Sequence, residues 1–524
     1  MSRQLMSRLD RYVFLAMVTP GLVFMSAVLF LSSRNPFGDK RFTLFDDAMI
    51  SMDYGRTLFK TGSFVWFPGA PRVQGITNPL WALWMGLIHF VGLQDSAAAL
   101  AVSITGVVLI IAASWVAFTL IRRGLPQVSP WIIAAVTGAI PFSFPTIYWT
   151  LRGMEVGLLS LLTLLLIRGI YDHLENQKKQ ISLGVWLPML LGIATRFDFV
   201  LLCLIAVLYL TWWSEHQYRF RVITLNGLFI GLCTSSLCLF QKLYWGSWFP
   251  NTYHLKMDGA TLVERLSRGM SSGVKAIPLA ILLVIALLAA RGTPRVCRQI
   301  VTVSISMFFG MAVYATYIGG DAWEDTMLNR FYSTMLPIIP VVLILAFHRA
   351  NDNRRNLRHI WIGSAIAMSL AGSGLIPAVK QYRERDVLFT RTNHYVTETT
   401  LSLRDIIEPD SVVATVWAGV PAYYLRSTML DLLGKNDVRI AHSSPHGSFF
   451  PGHNKWDYNY SIGELHPDVI FQTFTRGLEP DLPVKIKQWG YQRKCFIDGI
   501  SPPGGMYFKS DSTKVLWEAL KDCP

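Results

Sequence analysis

A chain of 524 residues that is 52% hydrophobic, only 16% charged and carries 17 Trp is a polytopic membrane protein, not a large soluble enzyme. Its net charge of +14 falls in short basic clusters between apolar runs, a placement that orients membrane helices and argues against nucleic acid as the partner. The sequence has neither zinc-type Cys/His spacing nor a Gly-rich nucleotide loop.

Arg3, Arg8 and Arg11 precede the first apolar run, 12–32, and no small-residue cleavage site follows, so this run reads as an uncleaved first helix. Further runs able to span fall near 97–120, 130–148, 154–170, 181–195, 198–213, 222–240, 273–290, 300–318, 331–347 and 359–378, about eleven in all. The run 79–92 is shorter, opens on Pro79 and carries Trp81 and Trp84, which fits an interfacial or re-entrant helix. With the N-terminus inside and 79–92 not crossing, the basic clusters at Arg122/Arg123, Lys178/Lys179, Arg219/Arg221, Arg291/Arg295/Arg298 and Arg349/Arg354/Arg355/Arg358 all lie on the cytoplasmic side. A crossing would move every one of them outside, against the positive-inside rule. The outer face then receives loop 33–78, a turn near 149–153, loops 241–272 and 319–330, and everything after about residue 379.

The expected architecture is a membrane all-α bundle over 1–379, with 33–96 as a first outer loop bearing interfacial helices, and an extracytoplasmic domain over 380–524. That tail alternates short apolar runs, 411–417 and 467–471, with Gly/Pro turns and a terminal helix near 513–521, as a small α/β or α+β domain would. Cys495 and Cys523 lie in it, whereas Cys203, Cys233, Cys238 and Cys297 lie in or beside membrane helices. An oxidising compartment lets Cys495 and Cys523 pair; their spacing leaves two separate thiols equally open.

The polar residues cluster at the outer ends of the runs. Asp46 and Asp47 directly follow the first apolar stretch, where carboxylates are costly and mark a site at the membrane surface; the alternative is a solvated loop. On a helix Asp46, Asp53 and Tyr54 share a face with Met49 and Ile50, and Arg56 follows. Next come Arg72, Gln74, Thr77 and Asn78, then Lys242 with the segment 244–256 holding Asn251, Tyr253 and Lys256, then Asp321 and Arg330. Arg152/Glu155 and Arg196/Asp198 read either as site residues or as ion pairs between helices. Arg72, Lys242, Lys256 and Arg330 suit a lipid phosphate headgroup, and a nearby carboxylate suits a general base that takes the proton of an attacking hydroxyl.

These segments together resemble a family. Asp46-Asp-Ala-x-Ile-Ser-x-x-Tyr-x-Arg56, then Trp66-x-Pro-Gly69, then Val73-x-Gly-x-Thr-Asn-Pro-Leu-Trp81 is similar to the first outer loop of bacterial, mycobacterial-type terminal arabinofuranosyltransferases of the GT-C fold. The likeness continues at Arg196-Phe-Asp198, Tyr244-Trp-Gly246, Pro250-Asn-Thr-Tyr253, Lys256, Gly319-Gly-Asp321, Arg330-Phe331, Asp431-Leu-Leu-Gly434, His442 and Pro451-Gly-His-Asn-Lys455. The resemblance implies a membrane glycosyltransferase that takes its sugar, arabinofuranose, from a polyprenyl-phosphate donor and works on the outer face of the bacterial cytoplasmic membrane. It implies inversion at the anomeric carbon with Asp46 or Asp47 as the base. Arg72, Lys242, Lys256 and Arg330 would hold the donor phosphate. Arg56, Gln74, Thr77, Asn78, Arg196, Asp198, Asn251, Tyr253, Asp321, His442, His453 and Lys455 would contact substrate. The acceptor would be an envelope polysaccharide, a glycolipid or a pilin-like surface protein. Neither ATP nor a redox cofactor is required. Some members of the superfamily hold a divalent ion near the acidic loop, which leaves a divalent cation open, but two adjacent acids are too few ligands to predict one. Two features depart from the family: Gln74 stands where relatives usually carry Glu, and 380–430 matches no familiar pattern. Alternatives are a GT-C mannosyl-, glucosyl- or aminoarabinosyltransferase, a lipid-linked sugar transporter, or a membrane-anchored binding protein. The transporter calls for internal repeats that the chain lacks, and eleven helices are more than an anchor needs.

Overall fold

The computed structural model describes residues 7–175, 183–324, 328–347 and 380–523, apart from 382 and 385. Packing divides the chain into two compact units. One comprises Met1–Leu31, Ser103–Leu237 and Leu266–Val387; the other comprises Ser32–Val102, Cys238–Arg265 and Leu388–Pro524.

The first unit is a helical bundle, and the protein is a multi-pass integral membrane protein. Seven helices of the described chain are long and apolar enough to span: Arg8–Ser32, Asp95–Gly124, Val156–Glu175, His216–Trp245, Leu262–Gly292, Arg295–Tyr317 and Arg330–Phe347. Pro130–Phe142 and Phe144–Leu151, bent by 52° at Ser143, make an eighth if the pair is one broken span and not a re-entrant loop. The runs expected at 181–195 and 198–213 are shorter apolar helices, Leu183–Thr195 and Phe197–Trp213, parted at Arg196, whose backbone is extended. The run 359–378, like the basic clusters at 178–179 and 349–358, lies outside the described residues. Leu228, Leu232 and Phe220 are 66%, 68% and 80% exposed, which only lipid makes affordable for side chains of this kind. Inside the bundle, hydroxyls bond to carbonyls of neighbouring helices, Thr146 to Ser333 O at 3.1 Å and Ser160 to Thr334 O at 2.9 Å, a common glue where hydrophobicity no longer drives association. Arg122 pairs with Asp10 at 3.0 Å and Arg123 with Asp172 at 2.8 Å, so three helix ends meet at one end of the bundle.

The second unit carries a six-stranded mixed sheet, in spatial order β2-β1-β3-β5-β4-β6. The strands are β1 (Val412–Thr415), β2 (Thr428–Asp431), β3 (Val469–Ile470), β4 (Tyr491–Phe496), β5 (Met506–Lys509) and β6 (Leu520–Asp522). β1 runs parallel to both β2 and β3, and the remaining pairings are antiparallel. One face is sealed by a core that includes Ala414, Leu433, Trp456, Ile470, Ile486 and Tyr491. The helix expected near 513–521 is instead a short 3₁₀ turn followed by edge strand β6. Pairing of Lys494–Phe496 with Leu520–Asp522, and the Cys495–Cys523 disulfide, hold this segment extended against its local helical preference.

In the same unit the helices Asp46–Thr61 and Pro79–Phe90 cross at Gly55 and Gly86. A Cβ on Gly55 would lie 2.1 Å from Ala82 O, and one on Gly86 2.5 Å from Gly55 O, so only glycine permits this crossing.

Candidate functional site

β1 and β2 are adjacent and parallel, so the loops leaving their C-terminal ends emerge side by side. Both loops close on the start of the Asp46–Thr61 helix. The loop after β1 offers the Gly419 and Val420 N–H groups, which donate to Asp46 Oδ1 at 3.1 and 2.8 Å. Gly419 is required there, because a Cβ would lie 2.0 Å from Asp46 O. Trp66 anchors the loop by donating Nε1–H to Ala418 O at 2.8 Å.

Asp431, at the end of β2, folds the second loop. Its Oδ1 accepts from Leu433 and Gly434 N–H and its Oδ2 from Asn436 N–H and Nδ2. That turn presents Lys435, whose Nζ lies 2.5 Å from Asp47 Oδ1. Asn436 Oδ1 accepts from Tyr54 Oη at 2.9 Å, and Tyr54 Oη in turn accepts the Gly75 N–H at 2.9 Å. Asn251 closes the ring: its Nδ2 donates to Gly434 O and its N–H to Gln74 O. Four segments far apart in the chain, around 46–56, 73–78, 251 and 418–436, therefore interlock around the two aspartates.

The electrostatics separate the pair. Asp46 is 6% exposed. Burial pushes its carboxyl up to about 6, against the pull of Lys435 and the Val420 N–H, with the Asp47 charge adding to the rise. The Asp47 side chain keeps 20% of its surface open. Burial opposes the Lys435 ammonium, but Asp47 and Asp46 overcome it and raise its pKa. Both acids sit in the first turn of a helix, where the backbone dipole favours negative charge. Asp53 is fully buried; desolvation pushes its carboxyl well above the usual range despite Arg56 at 2.8 Å.

The other expected residues take varied places. Arg56 bonds Asp53 and Tyr423 O and stacks 4.2 Å over the Tyr423 ring. Asn78 Oδ1 accepts from Ser51 Oγ, and Thr77 is half-buried. Gln74 is 2% exposed, and neither amide atom has a hydrogen-bond partner among the described residues. Arg72 lies 4.8 Å over the Tyr244 ring, and exposed Lys242 caps its own helix through Gly246 O. Tyr253 is exposed and stacks on Phe249, and half-buried Lys256 runs past Gly452. His453 bonds Pro451 O, and Lys455, 1% exposed, donates to His254 O and Ala441 O.

The first unit holds its own charge cluster. Arg196 bridges Glu155 at 2.8 Å and Asp198 at 2.6 Å, and Arg330 pairs with Asp321 at 2.8 Å after the left-handed Gly319 and Gly320. Glu155, Arg196, Asp198 and Arg330 line one small cavity with Phe331 and Met311. Burial alone would raise Glu155, but Arg196 and Arg330 hold it below its ordinary value. Arg152 contacts Tyr148 Oη within the same unit.

Lys435 escaped the sequence reading. It stands one residue beyond the Asp431–Gly434 motif, 388 positions from its partner Asp47, and its only signal was a charge next to a tight turn.

Among solved structures, ArnT from Cupriavidus metallidurans in the apo state matches with a TM-score of 0.55 at 13% identity, over 94% of this chain and 97% of that one. The chain has a GT-C fold. ArnT bound to undecaprenyl phosphate matches at 0.52 and 12% identity, over 96% and 99%. The apo oligosaccharyltransferase of Archaeoglobus fulgidus matches at 0.50 and 9%, over 97% of this chain and 76% of that one. No protein-family model and no curated protein matches the chain.

Proposed function

We propose that this protein is an inverting glycosyltransferase that moves a sugar from a polyprenyl-phosphate donor to an acceptor hydroxyl outside the cytoplasm. The observation that carries the reading is the Asp46–Asp47–Lys435 arrangement at the start of the first outer-loop helix. Asp47 is the general base, since it is the partly open carboxylate; Asp46, gripped by two backbone N–H groups, fixes the helix start beside it. Lys435 orients Asp47, and its fixed positive charge steadies the donor's phosphate as the sugar leaves. The lipid phosphate is already a good leaving group, so a base that holds the acceptor in line is the main chemical requirement. Arg72, Lys242 and Lys256 are the further cations of the same unit.

Two observations support this donor class: the fold shared with ArnT, a structure of which holds undecaprenyl phosphate, and the motif resemblance described above. The same resemblance favours arabinofuranose as the sugar. The acceptor is an envelope polysaccharide, a glycolipid or a pilin-like surface protein. The Cys495–Cys523 disulfide favours an oxidising location for the tail, in keeping with an outer-face site in the bacterial cytoplasmic membrane.

The test is transfer from synthetic polyprenyl-phosphoryl arabinofuranose by purified chain in nanodiscs, joined to mass analysis of surface glycans and pilins after gene deletion. Asp47→Asn should lower turnover by about 10²–10⁴, and Asp46→Asn by far less. Equal loss in both, with folding intact, would return the base role to either residue. Undiminished turnover in both would remove the base from this helix.

A further inference from the structure

We propose that His254, Asp258 and His442 form a binding site for a divalent transition-metal ion, Zn²⁺ foremost, that clips the Asn251–Met257 helix to the loop after Val438–Ala441. The inference is independent of the transferase reading.

One donor atom from each of the three side chains lies within 4.8 Å of the other two. His254 Nδ1 and Asp258 Oδ2 are 2.8 Å apart, one helical turn from each other, and the His254 and His442 rings lie 4.2 Å centre to centre. A tetrahedral zinc ion with nitrogen and oxygen ligands holds its donors roughly 3.3 Å apart. A small rotation of exposed His442 therefore completes the set.

Three further features build the site. First, His442 Nδ1 lies 2.8 Å from Val438 O. A carbonyl can only accept, so this nitrogen carries the proton and Nε2 keeps its lone pair for an ion, as in metal-bound histidines whose other ring nitrogen donates to a carbonyl. Second, buried Lys455 donates to His254 O at 3.1 Å and to Ala441 O at 2.9 Å. It thereby stitches together the backbones that carry the two imidazoles. Third, Gly259, at φ +78°, packs where a Cβ would meet Pro445 at 2.6 Å, so the segments touch again just beyond Asp258. Two imidazoles and one carboxylate select zinc or its neighbours over Mg²⁺ and Ca²⁺, which want oxygen alone. Three protein ligands leave a fourth position for water. The same helix begins at Asn251, which bonds Gln74 and Gly434, so the ion would brace the frame around the two aspartates.

The experiment uses untagged full-length chain in detergent, stripped with a chelator, then given Zn²⁺, Mg²⁺ or Ca²⁺. Bound metal is read by mass spectrometry after gel filtration and stability by thermal melting. The expected result is one Zn²⁺ per chain and a melting transition raised by Zn²⁺ alone. At a free concentration of 100 Kd, the folded-to-unfolded ratio should rise about a hundredfold. Both responses should vanish in His442→Ala and in Asp258→Asn, which melt like wild type without metal. Wild-type zinc content in His442→Ala and Asp258→Asn, no retained zinc in wild type, or an equal response to Mg²⁺ would overturn the site.

Discussion

Asp46 should weaken the fold it helps to shape. Its carboxyl titrates near 6, and burial is the chief cause. Compared with an unfolded carboxyl near 3.9, the folded chain holds this proton about a hundredfold more tightly, which corresponds to about 3 kcal/mol. The sign follows from which state binds the proton. Below about pH 4 both states are protonated and the full stability is present. As pH rises through about 6 the folded state must ionise a buried acid, and that stability is lost. Asp46→Asn removes the penalty, while its amide oxygen still accepts from the Gly419 and Val420 N–H groups. The variant should therefore melt higher than wild type at pH 7.5, by up to about 3 kcal/mol, with the advantage shrinking towards zero near pH 4. Thermal melting of both proteins in the same detergent across this range is the assay. A lower melting temperature at pH 7.5, or an advantage independent of pH, would refute the claim that desolvation dominates at this residue.

Other outcomes follow from the same geometry. Lys435→Ala should cost more in transfer than Lys435→Arg, because Asp47 loses its charged partner in the first and keeps one in the second; equal loss would make Lys435 a packing residue. Gln74→Ala, measured as KM against kcat, should raise KM for one substrate by roughly 5–10-fold, the worth of a hydrogen bond to a neutral hydroxyl; an unchanged KM would leave that amide without a substrate role. Arg330→Ala should weaken donor-lipid affinity and Arg330→Lys restore only part, since a point charge cannot replace the bidentate fork. Unchanged affinity with a lowered melting temperature would make the Asp321 pair its sole purpose. Single cysteines at Gly292 and Ser444, in a background freed of Cys203, Cys233, Cys238 and Cys297, should react with impermeant reagent from the cytoplasmic and outer sides respectively; the reverse would overturn the orientation.

Much of this site could be read before folding because its residue types are unusual for their surroundings. Two acids beside a membrane helix, or an Arg between two apolar runs, are expensive and so conspicuous. What could not be read was pairing. Lys455 and Arg56 stand out in the sequence because they are charged and lie in polar segments, but their partners, two carbonyls for Lys455 and Asp53 with Tyr423 O for Arg56, are set by the fold. Whether Cys495 and Cys523 pair was open, since spacing fixes no distance; β6 beside β4 supplies it. The same pairing explains the misread helix near the end of the chain. Its residues carry a helical pattern, and an edge strand with a crosslink outweighs a local preference worth a few tenths of a kcal/mol per residue.

The ion pairs of the bundle bear on the threading that the basic clusters imply. Asp10 lies at the start of the first span and Arg122 at the end of Asp95–Gly124, and the two are in contact. An even number of crossings must separate them. The helices Arg8–Ser32 and Asp95–Gly124 already supply two, so Pro79–Phe90, with 12 residues, has no crossing to make. Arg123 and Asp172 repeat the argument one step on: Val156–Glu175 returns the chain, and the bent pair Pro130–Phe142 and Phe144–Leu151 must be the single outward span between them. Cys297 Sγ reaches Gly124 O at 3.7 Å, which brings the Arg295/Arg298 cluster to that same end. In the orientation proposed above, this basic end faces the cytoplasm. Arg196, Glu155, Arg330 and Asp321 then fall at the other end of the same helices, the outer face in that proposal.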